Sequence, residues 1–277
     1  MELYYNKEII NFGDTLNPWI WERLIPDLNN IGCPNSLFLG IGTIINEDLN
    51  KHYPNKKKIV FSSGYGYGVA PRVDSSWKFI CVRGPLTAQR LNLPPELAIT
   101  DGAVLLKRVF NFTGSKKWNY SYMPHISMAL INGDLISRLC SDIGVNYIDP
   151  RSETEAVLSA ICASQVLLAE AMHGAIAAEA FGIPWIPIKN SNIVNDFKWQ
   201  DWCQSLGLEY DPVTLMPLWN PNNPVGHVKN FIKKKVFVSQ MKDVMRNREP
   251  IQSQENMIES KIQALEEKIH QLRTLEL

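Results

Sequence analysis

A chain of 277 residues is long enough for two ordinary domains, and its 45% hydrophobic and 20% charged content excludes a disordered protein. Lys plus Arg and Asp plus Glu both number 28, so no net field draws in nucleic acid. No apolar run reaches membrane-span length, since the longest, Val157 to Leu168, is broken by Ser159, Ser164 and Gln165.

From the amino end, Glu2 to Tyr5 is predicted as a short strand, followed by the loop Asn11-Phe-Gly-Asp14. Thr15 to Leu28 has helical spacing, with Pro18 placed near the first turn, where the missing donor costs nothing. Further strands are predicted over Ser36 to Leu39, Lys58 to Ser62, Trp77 to Val82 and Glu96 to Thr100. They end in Gly40-Ile-Gly-Thr43, Gly64-Tyr-Gly-Tyr-Gly68, Arg83-Gly-Pro85 and Asp101-Gly102, with a helix over Leu86 to Leu91. The polar stretch Asn111 to Trp118 reads as a linker. A second alternating series then places strands over Tyr120 to Pro124, Asn146 to Ile148, Gln165 to Glu170 and Ile183 to Ile188. Helices lie between them over Asp134 to Ile143, over Ser152 to Ala163 and after His173. Alternation of this kind implies parallel sheets with helices on both faces.

The fold class is therefore α/β: two doubly wound Rossmann-like domains facing a cleft, GT-B-like, with a C-terminal helix. The bounds are 1–115 for the first domain, 116–225 for the second and 226–277 for a helical tail. Leu218 to Gly226 is loop-like, and His227 to Val244 is helical and basic on one face. In the tail, Ile251, Ile258, Ile262, Leu265, Ile269 and Leu272 form an a/d stripe of about three heptads. That stripe either docks on its own domain or joins a second copy as a short coiled coil. The start MELYYNKEII lacks a basic segment followed by an apolar one, which argues against a secretory signal. Cys33, Cys81, Cys140, Cys162 and Cys203 contain no Cys-x-x-Cys pair, and read as reduced core thiols rather than zinc ligands. The expected location is cytoplasmic, and no metal is expected.

Ligands of such folds bind beyond the carboxyl ends of the strands. His173 stands there, at the mouth of a helix whose unpaired amides favour an anion, with Gly174 letting a ligand approach the backbone. An anion would hold the imidazole protonated as a general acid. Arg83 offers a fork suited to carboxylate or phosphate. Asn11 and Asp14 end a strand, where Asp14 can cap a helix or take a proton from a hydroxyl. His125 occupies another rim position. Gly42, Thr43, Tyr65 and Tyr67 lie in glycine-rich turns without a dinucleotide or Walker spacing, with rings able to stack on a sugar. Trp19 and Trp21 read as core or interface residues. Lys189 and Lys198 add positive charge near His173.

Taken in order, Asn11-Phe-Gly-Asp14, Gly40-Ile-Gly-Thr43, Arg83-Gly-Pro85, Asp101-Gly102, Pro124-His125 and Met172-His-Gly174 through Gly182-Ile-Pro184 resemble the polysaccharide pyruvyl transferase family. Phe197-Lys-Trp-Gln-Asp-Trp-Cys203 is similar to its bacterial exopolysaccharide branch, and the likeness covers roughly residues 1 to 210. The resemblance implies a GT-B-like fold and transfer of the carboxyethylidene group of phosphoenolpyruvate onto two hydroxyls of a sugar, with phosphate released and no cofactor. It implies donor contacts from Arg83, His125, Met172, Gly174, Lys189 and Lys198, and acceptor contacts from Asn11, Gly42, Thr43, Tyr65 and Tyr67. His173, Asp14 and Arg83 would carry the chemistry. Many members have an arginine two residues before the histidine; here that position is Ala171, so Arg83 leads the candidates for the missing anion contact, ahead of Lys189 and Lys198. The alternative is a GT-B glycosyltransferase with a nucleotide-sugar donor, for which Glu179 is the nearest ribose contact. A lipid-linked acceptor would put the chain at the inner membrane face, with Lys229 to Lys235 assisting.

Overall fold

The structure is a computed structural model that describes residues 1–31, 34–190, 194–218 and 227–274, of which 227–231 by backbone only. Cys33, most of the predicted loop over 218–226 and the side chain of Lys229 lie outside the described residues. The chain divides into two units. The first comprises Met1–Asn111, Asn195–Tyr210 and Ser253–Leu277; the second comprises Phe112–Val194 and Asp211–Gln252.

In the first unit, β1 (Glu2–Leu3), β2 (Ser36–Leu39), β3 (Lys57–Phe61) and β4 (Trp77–Cys81) form a parallel sheet in chain order. Side chains alternate across it, as strand geometry demands. Leu37, Leu39 and Val60 pack in a core with Leu49 of α2 (Asp48–His52) and Ala88 of α3 (Pro85–Arg90). Phe38 and Phe61 face the other way and meet Trp21 of α1 (Phe12–Leu24) edge-on at 5.1 and 5.3 Å. A side chain at Gly40 would reach within 2.1 Å of the Trp21 indole nitrogen, so only glycine lets this ring close over the sheet. Trp21 is thus a core residue.

Several expectations change here. The helix starts at Phe12, not Thr15, so Pro18 falls in its second turn and withdraws the donor that would reach the Asp14 carbonyl. Glu96 to Thr100 is not a strand. Pro94 and Pro95 lack ladder donors, and Pro95–Leu97 forms a 3-10 turn, after which Ala98 makes an isolated bridge to Val82. The strand order of this sheet never reverses, so among the described residues the first unit lacks the double winding expected of it.

The second unit's sheet is built from β5 (Trp118–Met123), β6 (Asn146–Tyr147), β7 (Ser164–Ala169), β8 (Trp185–Lys189) and β9 (Val213–Thr214). All pairings are parallel, in the order β6-β5-β7-β8-β9. On one face Tyr122, Leu168, Ile186 and Ile188 pack with Ile136 of α5 (Ile126–Ser141) and with Phe237, Met241 and Val244 of α9 (His227–Asn247). Met123 and Leu167 turn to the other face and meet Gly174 of α7 (Met172–Ala180), beside α6 (Thr154–Cys162).

Two late helices belong to the first unit. One is α8 (Asp196–Ser205), which packs on α3. The other is α10 (Glu255–Thr274), which buries Ile258, Ile262, Leu265, Ile269 and Leu272 within the unit. Arg108 of α4 (Leu106–Val109) holds α10 through Glu259 and Glu266. The a/d stripe is therefore taken by its own chain. Ile251, its first expected member, lies outside the helix and bridges Trp185 in the second unit. No described helix is long and apolar enough to cross a membrane. Cys81, Cys140, Cys162 and Cys203 are buried and outside any disulfide among the described residues, and burial pushes the first two up to about 12 and Cys162 up to about 11.

Candidate active site

The strand order of the second unit reverses between β5 and β7, because β6 is added on one side of β5 and β7 on the other. A reversal separates the two following connections and leaves a crevice at the carboxyl edge, where ligands of open α/β sheets bind. Here the two following helices, α5 and α7, start with His125 and Ala171 at their N-caps, in extended backbone conformations. Both therefore turn a helix N-terminus, with its positive dipole end, to that edge.

Glu170 holds this edge together. It is fully buried at the end of β7, and one carboxylate oxygen accepts the Tyr122 hydroxyl at 3.1 Å and the His125 amide at 2.9 Å. The other accepts the Asn190 amide at 2.9 Å. One side chain thus pins the ends of three adjacent strands, β5, β7 and β8. Burial, then the Glu170 charge, raises the Tyr122 hydroxyl well above the usual tyrosine range, so it stays a donor. The His125 ring caps α5: its Nδ1 accepts the Ser127 amide at 3.4 Å and lies 2.8 Å from the Ser127 hydroxyl. Because Nδ1 is an acceptor, the neutral ring carries its proton on Nε2. His173, on the first turn of α7, is half-buried with Nε2 turned away from solvent. Lys189 is half-buried at the end of β8.

Met172 and Gly174, expected as donor contacts, are buried. A Cβ at Gly174 would lie 2.6 Å from the Met123 sulfur, so this glycine serves the approach of α7 to the sheet rather than the approach of a ligand. Glu179 is 2% exposed and accepts the Trp185 indole N–H at 2.7 Å, which occupies the carboxylate considered for a ribose.

A second polar cluster lies in the first unit, beyond the ends of β2 and β3. The Asn11 amide donates to Asp14 at 2.9 Å. Burial raises the Asp14 carboxyl, opposed by that hydrogen bond and by the charge of Lys198. Lys198 stands 5.6 Å over the ring of the exposed Tyr67. Lys198 was expected on the donor side; α8 places it in the unit that contains Asp14. Gly42 has φ 112° and its carbonyl receives the Gly64 amide at 2.9 Å. Tyr65 spends its hydroxyl on the Gly68 carbonyl at 2.9 Å. Half-buried Trp19 stacks under Arg23 at 4.0 Å.

Arg83 has a different place from the one expected. It is fully buried, and its three nitrogens donate to Asp201 at 2.9 Å, to the Thr43 hydroxyl at 2.8 Å and to the Tyr65 carbonyl at 2.8 Å. Asp201 also accepts the Thr87 amide at 2.9 Å and its hydroxyl at 2.6 Å. The guanidinium is thus a buried clamp joining α8 to the turns that carry Thr43 and Tyr65. Asp101 caps the turn Gly102–Leu105 and is pushed up to about 6 by burial, against the nearby Arg83 charge.

The sequence reading missed Glu170, Asn190 and Asp201 as organisers. Glu170 could have been noticed as an acid closing a buried strand, and Asp201 as an acid flanked by Trp199 and Trp202. Among the described residues no three His, Cys, Asp or Glu side chains converge as metal ligands.

Residues 41–192 match the family model described as polysaccharide pyruvyl transferase. The chain is also 40% identical over 212 residues to a Rhizobium meliloti (strain 1021) protein named succinoglycan biosynthesis protein ExoV. That match covers 76% of this chain and 66% of the relative, just under two thirds of its length.

Proposed function

Because this chain belongs to the polysaccharide pyruvyl transferase family, we propose that it moves the carboxyethylidene group of phosphoenolpyruvate onto two hydroxyls of a sugar in a polysaccharide or its precursor. The product is a cyclic ketal, and phosphate is released. The observation that carries the reading is the reversal of strand order in the second unit, with two histidines and two helix N-termini at its carboxyl edge. A carboxylate and a phosphate need two cationic or amide-rich pockets, and α5 and α7 supply two. The name of the similar Rhizobium meliloti protein, which refers to succinoglycan biosynthesis, supports a bacterial polysaccharide as the setting.

In the proposed reaction one sugar hydroxyl adds to C2 of the donor while its methylene carbon gains a proton and becomes a methyl group. His173 gives that proton. Asp14, its carboxyl raised by burial, takes the proton of the adding hydroxyl. The C2–O bond to phosphate then breaks as the second hydroxyl oxygen bonds to C2, and the proton of that hydroxyl leaves with the phosphate. The amides of α5 and α7, with His125 and Lys189, stabilise the departing phosphate. Arg83 acts from inside the first unit by holding Thr43 and Tyr65, where the acceptor would lie with Asn11, Gly42 and Tyr67. A GT-B-like pairing of donor and acceptor halves, independence from cofactors and cytoplasmic action belong to the same proposal.

The test is a screen of sugars for phosphate release that requires phosphoenolpyruvate. His173→Ala is expected to lose about 100-fold or more in kcat. Full turnover by that variant would remove the acid role. Turnover with nucleotide sugars instead of phosphoenolpyruvate would overturn the reaction.

A further inference from the structure

We propose that the outer side of α5 and α9 is a docking surface for an anionic lipid bilayer. Two adjoining hollows lie along these helices and share Lys234. One, of about 400 Å³, has Leu139 and Val238 in its wall, with Lys235 and Lys242. The other, of about 250 Å³, contains Arg138 and Arg151 and is bordered by Leu130 and Ile131. These two apolar side chains are 51% and 46% exposed, and Ile232, one turn before Lys235 on α9, is 58% exposed. Among the described residues Asp134 is the one acid in the two walls, and Asp149 beside them is paired with Arg151. Five cations are therefore gathered in a chain with no net charge.

The composition selects the occupant. Protein interfaces favour arginine and aromatic residues and are depleted in lysine. Among the described residues, these walls have lysine as the main cation and no aromatic side chain. Leu and Ile side chains projecting among lysines on long stems suit a bilayer, which offers acyl chains below phosphates and needs no matched shape. The inference does not depend on the reaction proposed above.

The experiment is co-sedimentation of the full chain with vesicles of phosphatidylcholine alone, or of phosphatidylcholine with about a third phosphatidylglycerol. Lysines near an anionic surface contribute about fivefold each to binding. The expected result is retention on the anionic vesicles only, falling as salt rises. Replacing Lys234, Lys235 and Lys242 by serine is expected to lower it about 100-fold. Leu130→Ser with Ile131→Ser is expected to lower it about tenfold or more. The proposal is overturned by equal retention on neutral vesicles, by no retention on either, or by a folded triple variant that binds like the wild type. Should a variant fail to fold, the lipid and salt dependence of the wild-type chain still decides.

Discussion

Asp201→Ala isolates the clamp on which the first unit's site turns depend. The substitution removes the acceptor of the Arg83 Nε–H and of both Thr87 donors. Arg83 and Asp201 are both 0% exposed, and a Cβ on neighbouring Gly84 would lie 2.0 Å from the Asp201 carbonyl, so the site has little room to relax. A guanidinium left buried without its carboxylate costs about 3–5 kcal/mol. With a urea slope of about 2 kcal/mol per molar, the midpoint should fall by about 2 M. Unfolding can be followed by tryptophan fluorescence, since Trp199 and Trp202 lie buried on the same helix as Asp201. A double variant, Arg83→Met with Asp201→Leu, should lose less than Asp201→Ala alone, because no charge is stranded. A loss below about 1 kcal/mol, with only a raised KM for phosphoenolpyruvate, would refute the buried clamp and return Arg83 to donor binding.

Other outcomes follow from single contacts. Burial raises Asp101 from 3.8 to about 6, so its folded value exceeds its unfolded one. Its stability contribution is full below about pH 4 and is lost as pH rises through 6, a change of roughly 3 kcal/mol. Asp101→Asn should therefore resist urea better than the wild type above pH 6 and equally near pH 4; parallel curves would contradict this. Asn11→Ala removes the hydrogen bond that lowers Asp14 and leaves burial to raise it further, so the acid limb of kcat/KM should move to higher pH. An unmoved limb would separate Asp14 from the chemistry. Gly174→Ala drives a methyl group to 2.6 Å from the Met123 sulfur and should cost about 1–3 kcal/mol by thermal unfolding. A smaller residue at Met123 should recover part of that loss; no recovery would place the strain elsewhere.

The sequence by itself determined the parallel α/β character and most strand positions. Runs such as Ser36–Leu39 and Ser164–Ala169 are apolar, short and closed by glycine or charge, and these signals are local. It also pointed to His125 and His173 as residues at strand ends, because the passage from strand to helix can be read from neighbouring residues. The 3-10 turn at Pro95–Leu97 was misread because Ile99 and Thr100 carry strand propensity while the prolines before them forbid the ladder. Only the tertiary structure decided the strand order, and with it which strand ends flank a reversal. It also decided that α8 packs in the first unit, where Asp201 meets an arginine 118 residues away, and that the α10 stripe is satisfied within its own chain. Periodicity shows that a face must be covered but not by what, and a lone arginine looks the same whether it awaits an anion or is locked to one. The difference lies in contacts between distant parts of the chain, which local patterns do not encode.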